Sequence, residues 1–487
     1  MPYRKISRKD FIKQTTAAMA GAAFAPPLTI LARNSHRRPL KRIDLVGTGI
    51  RGVSFWGRTV RERYSDVAEF VGLCDINPGR LEFARNHIGV ECPTFTDFDE
   101  MLDRTSPDML IVCTVDATHD EFIVKGLERD IDVLTEKPLT TDEEKCQRIL
   151  DAEARSKGSL IVGFNYRYSP HHTRLKELLV NQRVGKITSV DFHWYLNVYH
   201  GASYFRRWHG ITAKSGTLLV HKASHHFDLL NWWLDSEPVE VYAEGALEHY
   251  GSNNPFRGDK CRGCPHQNRC DFYWDITRDR MLMELYVANE HHDGYIRDNC
   301  LWRHEIDIYD RMSVQIKYAN DVQVTYSLTT YSPYEGMQIA FNGTTGRIDA
   351  WHGIPWRERE RIDQAALYAQ GMSQEEVEEA SDFEEIMVMD NFSEEYEQIR
   401  VYQERGGHGG GDIRLQNEIF RDPDMPDPLG HRAGIRDGAM AVLIGIAARK
   451  SIESGEPIRI ADLTSLVPHP TRASGGTAPR TPARDIR

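Results

Sequence analysis

A glycine-rich turn between an apolar strand and a helix constrains the fold of this chain more than any other feature. Ile43-Asp44-Leu45-Val46 has the pattern of a buried strand and runs directly into Gly47-Thr48-Gly49-Ile50-Arg51-Gly52. The first glycine permits a tight turn, the second lets the backbone approach a pyrophosphate, and the third lets the helix predicted over 53–64 pack on its strand. The N-terminus of that helix then faces the phosphates. The pattern predicts a dinucleotide site at Gly47, Thr48, Gly49, Ile50, Arg51 and Gly52.

An acidic residue follows at the position where such a site contacts the ribose. A second apolar strand, 70–74, ends in Asp75. A carboxylate there can accept hydrogen bonds from the ribose hydroxyls and repels a 2′-phosphate. NAD is therefore favoured over NADP, although Arg80, on the next helix, is placed where it can reach a 2′-phosphate.

Three further apolar strands, 109–114, 131–134 and 160–164, complete the predicted parallel sheet. Ligands bind at the carboxyl ends of such strands. The second of these strands leads to Glu136 and Lys137, and Pro138, which has no N–H to donate, ends the strand there. The predicted cofactor contacts at this edge are Thr114, His119, Glu136 and Lys137. For His119, capping of the following helix is an equal alternative.

Four motifs together resemble one enzyme family. Gly47-x-Gly49-x-x-Gly52, Glu136-Lys137-Pro138, Gly163-Phe164-Asn165-Tyr166-Arg167 and His225-x-x-Asp228 occur in the order and spacing of the Gfo/Idh/MocA family of glucose-fructose oxidoreductases and inositol dehydrogenases. The resemblance covers about 41–466. It implies a Rossmann domain with a doubly wound parallel sheet, 41–166, followed by an open-faced, mostly antiparallel α+β domain, 167–466. It also implies NAD(P)-dependent chemistry on sugars or polyols, and a homodimer or homotetramer formed through the C-terminal sheet.

The resemblance also assigns catalytic roles. His225 corresponds to the family's general base, and Lys137 lies beside it to stabilise the developing alkoxide. A helix predicted over 217–234 carries His221, His225 and Asp228 on one face. His221 stands where relatives commonly have an aspartate, so we expect altered proton handling. The predicted catalytic residues are Lys137, His225 and His221.

In the second half, apolar and polar residues alternate over longer predicted strands, at 186–197, 239–248, 312–332 and 337–351. This pattern is typical of an antiparallel sheet with one covered face. Aromatic and cationic residues at 199–209 suit a sugar, with packing between domains as the alternative. A glycine-dense segment at 406–412 is a second candidate for substrate contact, with a mobile hinge as the alternative. The predicted substrate-binding residues are Tyr166, Arg167, Tyr204, Arg206, Trp208, Asp228 and His408.

Cysteines are grouped in the second half. Cys261-x-x-Cys264-x5-Cys270, followed by Cys300, predicts either a structural zinc site, two disulfides or free thiols. A separate acidic stretch, 357–404, has the composition of an irregular, solvated insertion.

The net charge and the two ends of the chain limit the possible binding partners and cellular location. The net charge of −12 and pI near 5.9 argue against nucleic-acid binding. Residues 1–33 resemble a twin-arginine export signal, with Lys9 in place of the second arginine, which predicts a periplasmic protein; without a working signal it is cytoplasmic. No segment is expected to span a membrane stably, and 467–487 has a disordered composition.

These observations predict an NAD-dependent oxidoreductase acting on a CH–OH group of a sugar, sugar derivative or polyol. Because the periplasm offers no large NAD pool, we expect the cofactor to be held tightly and recycled in place. One alternative is an NAD-dependent glycosidase or epimerase that oxidises a hydroxyl transiently. A second alternative is a non-catalytic protein that senses nucleotide.

Overall fold

The structure, a computed structural model, describes residues 39–354, 363–373, 383–402, 404 and 407–472. The predicted export signal and the last part of the tail, from 473, lie outside these residues. So does the side chain of His408. Within the described residues, no helix is long and apolar enough to cross a membrane.

The first half folds as the predicted parallel sheet. Its six strands are all parallel and lie in the order β3-β2-β1-β4-β5-β6, which is the dinucleotide-binding order. The strands are β1 (Lys41–Val46), β2 (Ala68–Cys74), β3 (Thr94–Phe95), β4 (Met109–Val112), β5 (Asp132–Thr135) and β6 (Leu160–Val162).

Helices connect these strands, and their first turns explain where they begin. Asn77, Asp97 and Asp142 each accept a hydrogen bond from the backbone N–H three residues later, at 2.8–3.0 Å, the usual N-cap arrangement. The helices are the π-helical Gly52–Arg58 continued by Thr59–Tyr64, then Pro78–Ile88, Phe98–Thr105, His119–Glu128 and Glu143–Arg155.

The second half contains a nine-stranded sheet, in the order β14-β13-β12-β11-β7-β10-β9-β8-β15. Every neighbouring pair is antiparallel except β7 and β10. The strands are β7 (Ile187–Asn197), β8 (Pro238–Ala246), β9 (Arg311–Tyr318), β10 (Gln323–Ser332), β11 (Gly336–Gly343), β12 (Gly346–His352), β13 (Phe383–Asp390), β14 (Tyr396–Tyr402) and β15 (Ile458–Arg459).

Helices cover one face of this sheet. Ala223–Leu234 and Ile435–Ser454 pack together on it, and Phe227, Trp232 and Leu443 are fully buried between the layers. The other helices of this half are Pro170–Val180, Val198–Arg206, Thr212–Ser215, Leu218–His221, Arg280–Leu285, Glu290–Asp293, Gln364–Ser373, Gly411–Gln416 and the π-helical Asn417–Arg421. The expected combination of a Rossmann domain and a mostly antiparallel α+β domain is confirmed.

Two local expectations need correction. Part of the acidic stretch at 357–404 is regular, since β13 and β14 pair with each other and extend the sheet beyond β12. Ile386 and Val388 are buried at alternate positions of β13, so a few inward apolar residues outweigh an acidic average. The helix expected over 217–234 is also interrupted, at Lys222, into Leu218–His221 and Ala223–Leu234.

Candidate active site

The glycine turn has the close contacts that a dinucleotide loop requires. Gly47 has a φ of +92°, and a Cβ there would lie 2.5 Å from the carbonyl carbon of Cys113. A Cβ on Gly52 would lie 2.1 Å from the carbonyl oxygen of Gly47. Only glycine fits both positions. The loop at the end of β1 therefore has the geometry to bring backbone amides against a pyrophosphate.

Asp75 lies beside this loop, at the end of β2. Its carboxylate accepts hydrogen bonds from the backbone N–H of Thr48 at 2.8 Å and from the Thr48 hydroxyl at 3.0 Å. Arg80 binds the other carboxylate oxygen at 3.0 Å and also pairs with Asp293 at 2.5 Å. Two carboxylates thus hold Arg80, which leaves it less available for a 2′-phosphate.

A segment from the second half covers this nucleotide edge. We call residues 276–297 the covering segment. The Tyr286 hydroxyl accepts a hydrogen bond from the Ile50 N–H at 2.8 Å. Asn77 donates to the carbonyl of Asn289 at 2.9 Å, and Asp293 binds Arg80. A tyrosine hydroxyl that accepts from the loop still has a proton with which to bind a phosphate oxygen. Sequence reasoning missed this contact.

Lys137 emerges from a tightly tied corner after β5. Glu136 accepts hydrogen bonds from Arg51 at 2.5 Å and from the indole of Trp56 at 2.7 Å. The Lys137–Pro138 peptide bond is cis. His119 bridges this corner to β4, with its Nδ1 2.8 Å from the Pro138 carbonyl and its Nε2 3.2 Å from the Thr114 carbonyl. His119 and Glu136 therefore position the loops that carry Lys137.

Lys137, His221 and Asp116 form a continuous chain of polar contacts. The Lys137 ammonium lies 3.3 Å from His221 Nε2 and donates to the His221 carbonyl at 3.2 Å. That carbonyl is available because the helix breaks at Lys222. His221 Nδ1 lies 2.6 Å from the Asp116 carboxylate. Since a carboxylate accepts and an ammonium donates, we assign the Nδ1–H tautomer to His221.

Burial changes the proton affinities of this chain. It lowers the pKa of Lys137 to about 8, although Asp116 and Glu136 act in the opposite direction. Burial and the charge of Lys137 hold the pKa of His221 well below its usual value. Burial also raises the pKa of Asp116, which Lys137 opposes. The arrangement thus contains a lysine that can exchange a proton near neutral pH, beside a neutral imidazole.

His225 lies one turn further along and packs against aromatic rings. Its ring is stacked on Tyr166, with centroids 4.1 Å apart, and it contacts Phe164 edge-on at 5.9 Å. Lys222 donates to the Tyr166 hydroxyl at 2.9 Å. The residue that the structure places against Lys137 is His221, while the role of His225 as base stays a prediction.

Arg167 and Asp228 bind each other. Arg167, fully buried, donates to both carboxylate oxygens of Asp228 at 2.7 and 2.5 Å, to Asp437 at 3.2 Å and to the carbonyl of Gly430 at 3.1 Å. These contacts occupy the fork of the guanidinium. We therefore assign the pair to packing of the second half, which differs from the expectation that both bind substrate.

The aromatic segment before the broken helix is divided between two places. Tyr204 and Trp208 contact the ring of His221 edge-on, at 5.3 and 5.8 Å. Arg206 instead donates to the Cys261 sulfur at 3.0 Å and to the Phe272 carbonyl, so it anchors the cysteine-rich segment. Tyr204 and Trp208 remain beside the candidate site, and Arg206 does not face it.

The four cysteines Cys261, Cys264, Cys270 and Cys300 line one cavity of about 20 Å³. All are free thiols in the structure. Among the described residues, no group of three or more His, Cys, Asp or Glu side chains is arranged to hold a metal ion. The predicted zinc site is therefore unsupported.

Comparisons with known proteins agree with this geometry. Residues 41–164 match the description "Oxidoreductase family, NAD-binding Rossmann fold", and 176–460 match its "C-terminal alpha/beta domain". An oxidoreductase of Bacillus subtilis, YteT, is 35% identical over 88% of this chain and 99% of its own. Inositol 2-dehydrogenase of Salmonella typhimurium is 26% identical over 40% of this chain and 56% of its own.

A solved structure shows the same fold at lower sequence identity. Levoglucosan dehydrogenase, in complex with NADH and levoglucosan, matches with a TM-score of 0.59 at 16% identity, covering 86% of this chain and 99% of its own. The chain therefore belongs to the Gfo/Idh/MocA oxidoreductase family and is an NAD(P)-dependent oxidoreductase acting on CH–OH groups.

Proposed function

We propose that the protein oxidises a hydroxyl group of a sugar, sugar derivative or polyol with NAD. The observation that carries this proposal is the chain of contacts from Lys137 through His221 to Asp116 at the carboxyl edge of the parallel sheet. A protein that only sensed nucleotide would not need a buried lysine with a pKa near 8 beside that edge. Such a value suits a group that exchanges a proton during turnover.

In this proposal Lys137 receives the hydroxyl proton. The neutral amine donates its two N–H groups to the ring and carbonyl of His221, which leaves its lone pair to accept the proton of the substrate hydroxyl. His221 orients the amine, and the Asp116 carboxylate behind it stabilises the positive charge that Lys137 gains with the proton. NAD accepts the hydride from the carbinol carbon. His225 is the alternative base, as the family resemblance implies.

Alanine variants test these roles. Lys137→Ala lowers the rate of nucleotide reduction by about 10²-fold or more, the usual scale for a positioned acid–base group, while the nucleotide stays bound. His221→Ala and His225→Ala are assayed side by side as single variants. The variant with the larger loss of rate identifies the histidine that takes part in proton transfer. Lys125→Ala, whose partners are Asp99 and Glu121 on the surface, is the control. Normal turnover in Lys137→Ala would remove Lys137 from the mechanism.

NAD is the proposed cofactor rather than NADP. Asp75 and Asp293 share one arginine, Arg80, beside the end of β2, where the ribose is expected to bind. This arrangement leaves net negative charge where a 2′-phosphate would have to bind. Titration of the nucleotide-free protein with each cofactor tests the preference, and equal affinities would contradict it.

The nucleotide is proposed to stay bound and to be recycled in place, in a protein exported to the periplasm. The contacts of Tyr286, Asn289 and Asp293 with the nucleotide edge support retention, because release would require them to separate. A second sugar or ketose would then return the hydride. The test is turnover of the desalted protein without added nucleotide, and loss of nucleotide on desalting would contradict retention.

Export is tested by cell fractionation. An exported protein is expected in the periplasmic fraction, shortened by removal of the predicted signal at 1–33.

A second candidate is transient oxidation of a glycoside hydroxyl, followed by elimination or epimerisation and re-reduction. The replacement of the family's aspartate by His221 favours it, since His221 contacts Lys137 directly. Release of an aglycone, or exchange of the substrate C–H for solvent deuterium, without net nucleotide reduction identifies this reaction.

Self-association through the C-terminal sheet is also proposed. Large apolar side chains are exposed on the edge strand β14, where Tyr396 is 65% and Tyr402 63% accessible, and on the neighbouring strand β13. Exposed groups of this kind often mark interfaces. Light scattering measures the mass, and Tyr396→Lys with Tyr402→Lys should lower it; a monomeric parent protein would contradict the proposal.

A further inference from the structure

Two arginines near the candidate active site, the buried Arg297 and the partly buried Arg207, have no carboxylate partner among the described residues. Arg207 donates through Nε to the Ser203 carbonyl at 2.9 Å. Arg297 is only 4% exposed, and its Nε has no hydrogen-bond partner. Buried arginines are normally paired, since an uncompensated charge away from water is costly.

Ring contacts connect both arginines to the site. The guanidinium of Arg207 lies 5.2 Å from the ring of Tyr204, which contacts His221. The guanidinium of Arg297 lies 5.0 Å from the ring of Tyr286, whose hydroxyl accepts from the Ile50 N–H. One arginine therefore approaches from the Lys137 side and the other from the nucleotide loop.

The charge of Arg297 also acts on Arg207, while neighbouring tyrosines, Tyr295 and Tyr286 foremost, raise the pKa of Arg297 itself against the effect of burial. Burial and then the charge of Arg297 lower the pKa of Arg207. Burial also holds the pKa of His209 well below its usual value. Arg207, His221, Lys137 and Arg297 act in the same direction. Like charges disfavour each other's charged forms, and an anion bound to both arginines would offset this repulsion.

The acids of the region already have partners. Glu136 binds Arg51, Glu335 lies 3.0 Å from His200 Nδ1, and Asp116 lies against His221. Lys222, which donates to Tyr166, adds further positive charge. The described part of the site thus has more cationic side chains than free carboxylates around Arg207 and Arg297.

We propose that Arg207 and Arg297 bind an anionic group of the substrate, a carboxylate or a phosphate, so that the substrate is a sugar acid or a sugar phosphate. Guanidinium groups suit both anions because their forked donors match pairs of oxygens. This inference rests on the proposed function and narrows its substrate class. The anion would sit beside Lys137, which places a neighbouring carbinol carbon at the reacting position.

Direct binding tests the inference without requiring turnover. The nucleotide-loaded protein is titrated calorimetrically with D-galacturonate, D-glucose 6-phosphate and inorganic phosphate, and with galactose and glucose as neutral counterparts. At least one anion should bind about 10²-fold more tightly than its neutral counterpart, the scale expected for a buried charge pair. Binding of galacturonate alone indicates a carboxylate, and binding of the phosphates alone indicates a phosphate.

Variants then locate the anion. Arg207→Gln and Arg297→Gln should each remove most of the preference. Arg303→Gln should keep it, because Arg303 donates to the carbonyls of Arg206 and Cys300. Failure of every anion to bind, or equal binding to the glutamine variants, overturns the inference. Loss of nucleotide from Arg297→Gln would assign that arginine to the dinucleotide and also overturn it. If neutral sugars alone reduce the nucleotide, the inference fails while the proposed function stands.

Discussion

Replacing Asp116 by asparagine removes the negative charge behind His221 without removing the side chain. Asp116 raises the pKa of Lys137 against the effect of burial. Asp116→Asn should therefore lower the pKa of Lys137 further below about 8. If Lys137 receives the proton, the protein is active when this amine is neutral. The rate should then rise through about pH 8 in the parent protein and at lower pH in the variant.

The size of the shift follows from the contacts. The imidazole of His221 separates the two charges, with contacts of 2.6 Å to Asp116 and 3.3 Å to Lys137. With the width of the ring included, two unit charges about 8 Å apart, at an effective dielectric constant of about 20, interact by roughly 2 kcal/mol. That energy corresponds to about one and a half pKa units. The plateau rate should also fall, by about 10²-fold, because His221 Nδ1–H loses its charged acceptor.

The assay is the pH dependence of nucleotide reduction in a single turnover. Asp120→Asn is a matched control, because Asp120 is a nearby buried aspartate whose partner is Arg148. Its pH profile should equal that of the parent. In Asp116→Asn, a rise in rate that stays at the parent's pH or moves to higher pH would refute the assignment of Lys137 as proton acceptor.

Three further predictions test other contacts. Asp75→Ala should weaken the binding of NAD by about tenfold or more relative to that of NADP, because it removes the ribose acceptor and releases Arg80. Titration measures both affinities, and equal losses of affinity for the two cofactors would show that Asp75 is not at the ribose. Tyr286→Phe should speed the release of bound nucleotide by about tenfold, followed by fluorescence after dilution, and an unchanged rate would separate the covering segment from retention. Arg167→Leu should reduce the free energy of unfolding by about 3–5 kcal/mol, because Asp228 is left buried and unpaired. Urea unfolding measures that loss, and a stable variant that fails only to bind substrate would restore the substrate role.

Local sequence patterns were sufficient for the architecture of this protein. Apolar runs of four to six residues, each followed by a turn and a helix, specify parallel strands, and Gly47 and Gly52 identify the loop where backbone and phosphate meet. Lys137 could be placed at the carboxyl edge because it directly follows one of these runs. The acidic stretch was misjudged because its average charge obscured the two inward positions, Ile386 and Val388, that make β13 a strand.

Tertiary structure alone decided which side chains meet. Asp116 and His221 are 105 positions apart, and Tyr286 is 236 positions from Ile50. No local period records such pairings, since they arise from the way the second half folds back on the first. The same reason explains why Arg167 is paired with Asp228, while Arg207 and Arg297 have no carboxylate partner among the described residues. Composition and spacing identify which groups are present, but burial and distance determine which are occupied and which can act on a ligand.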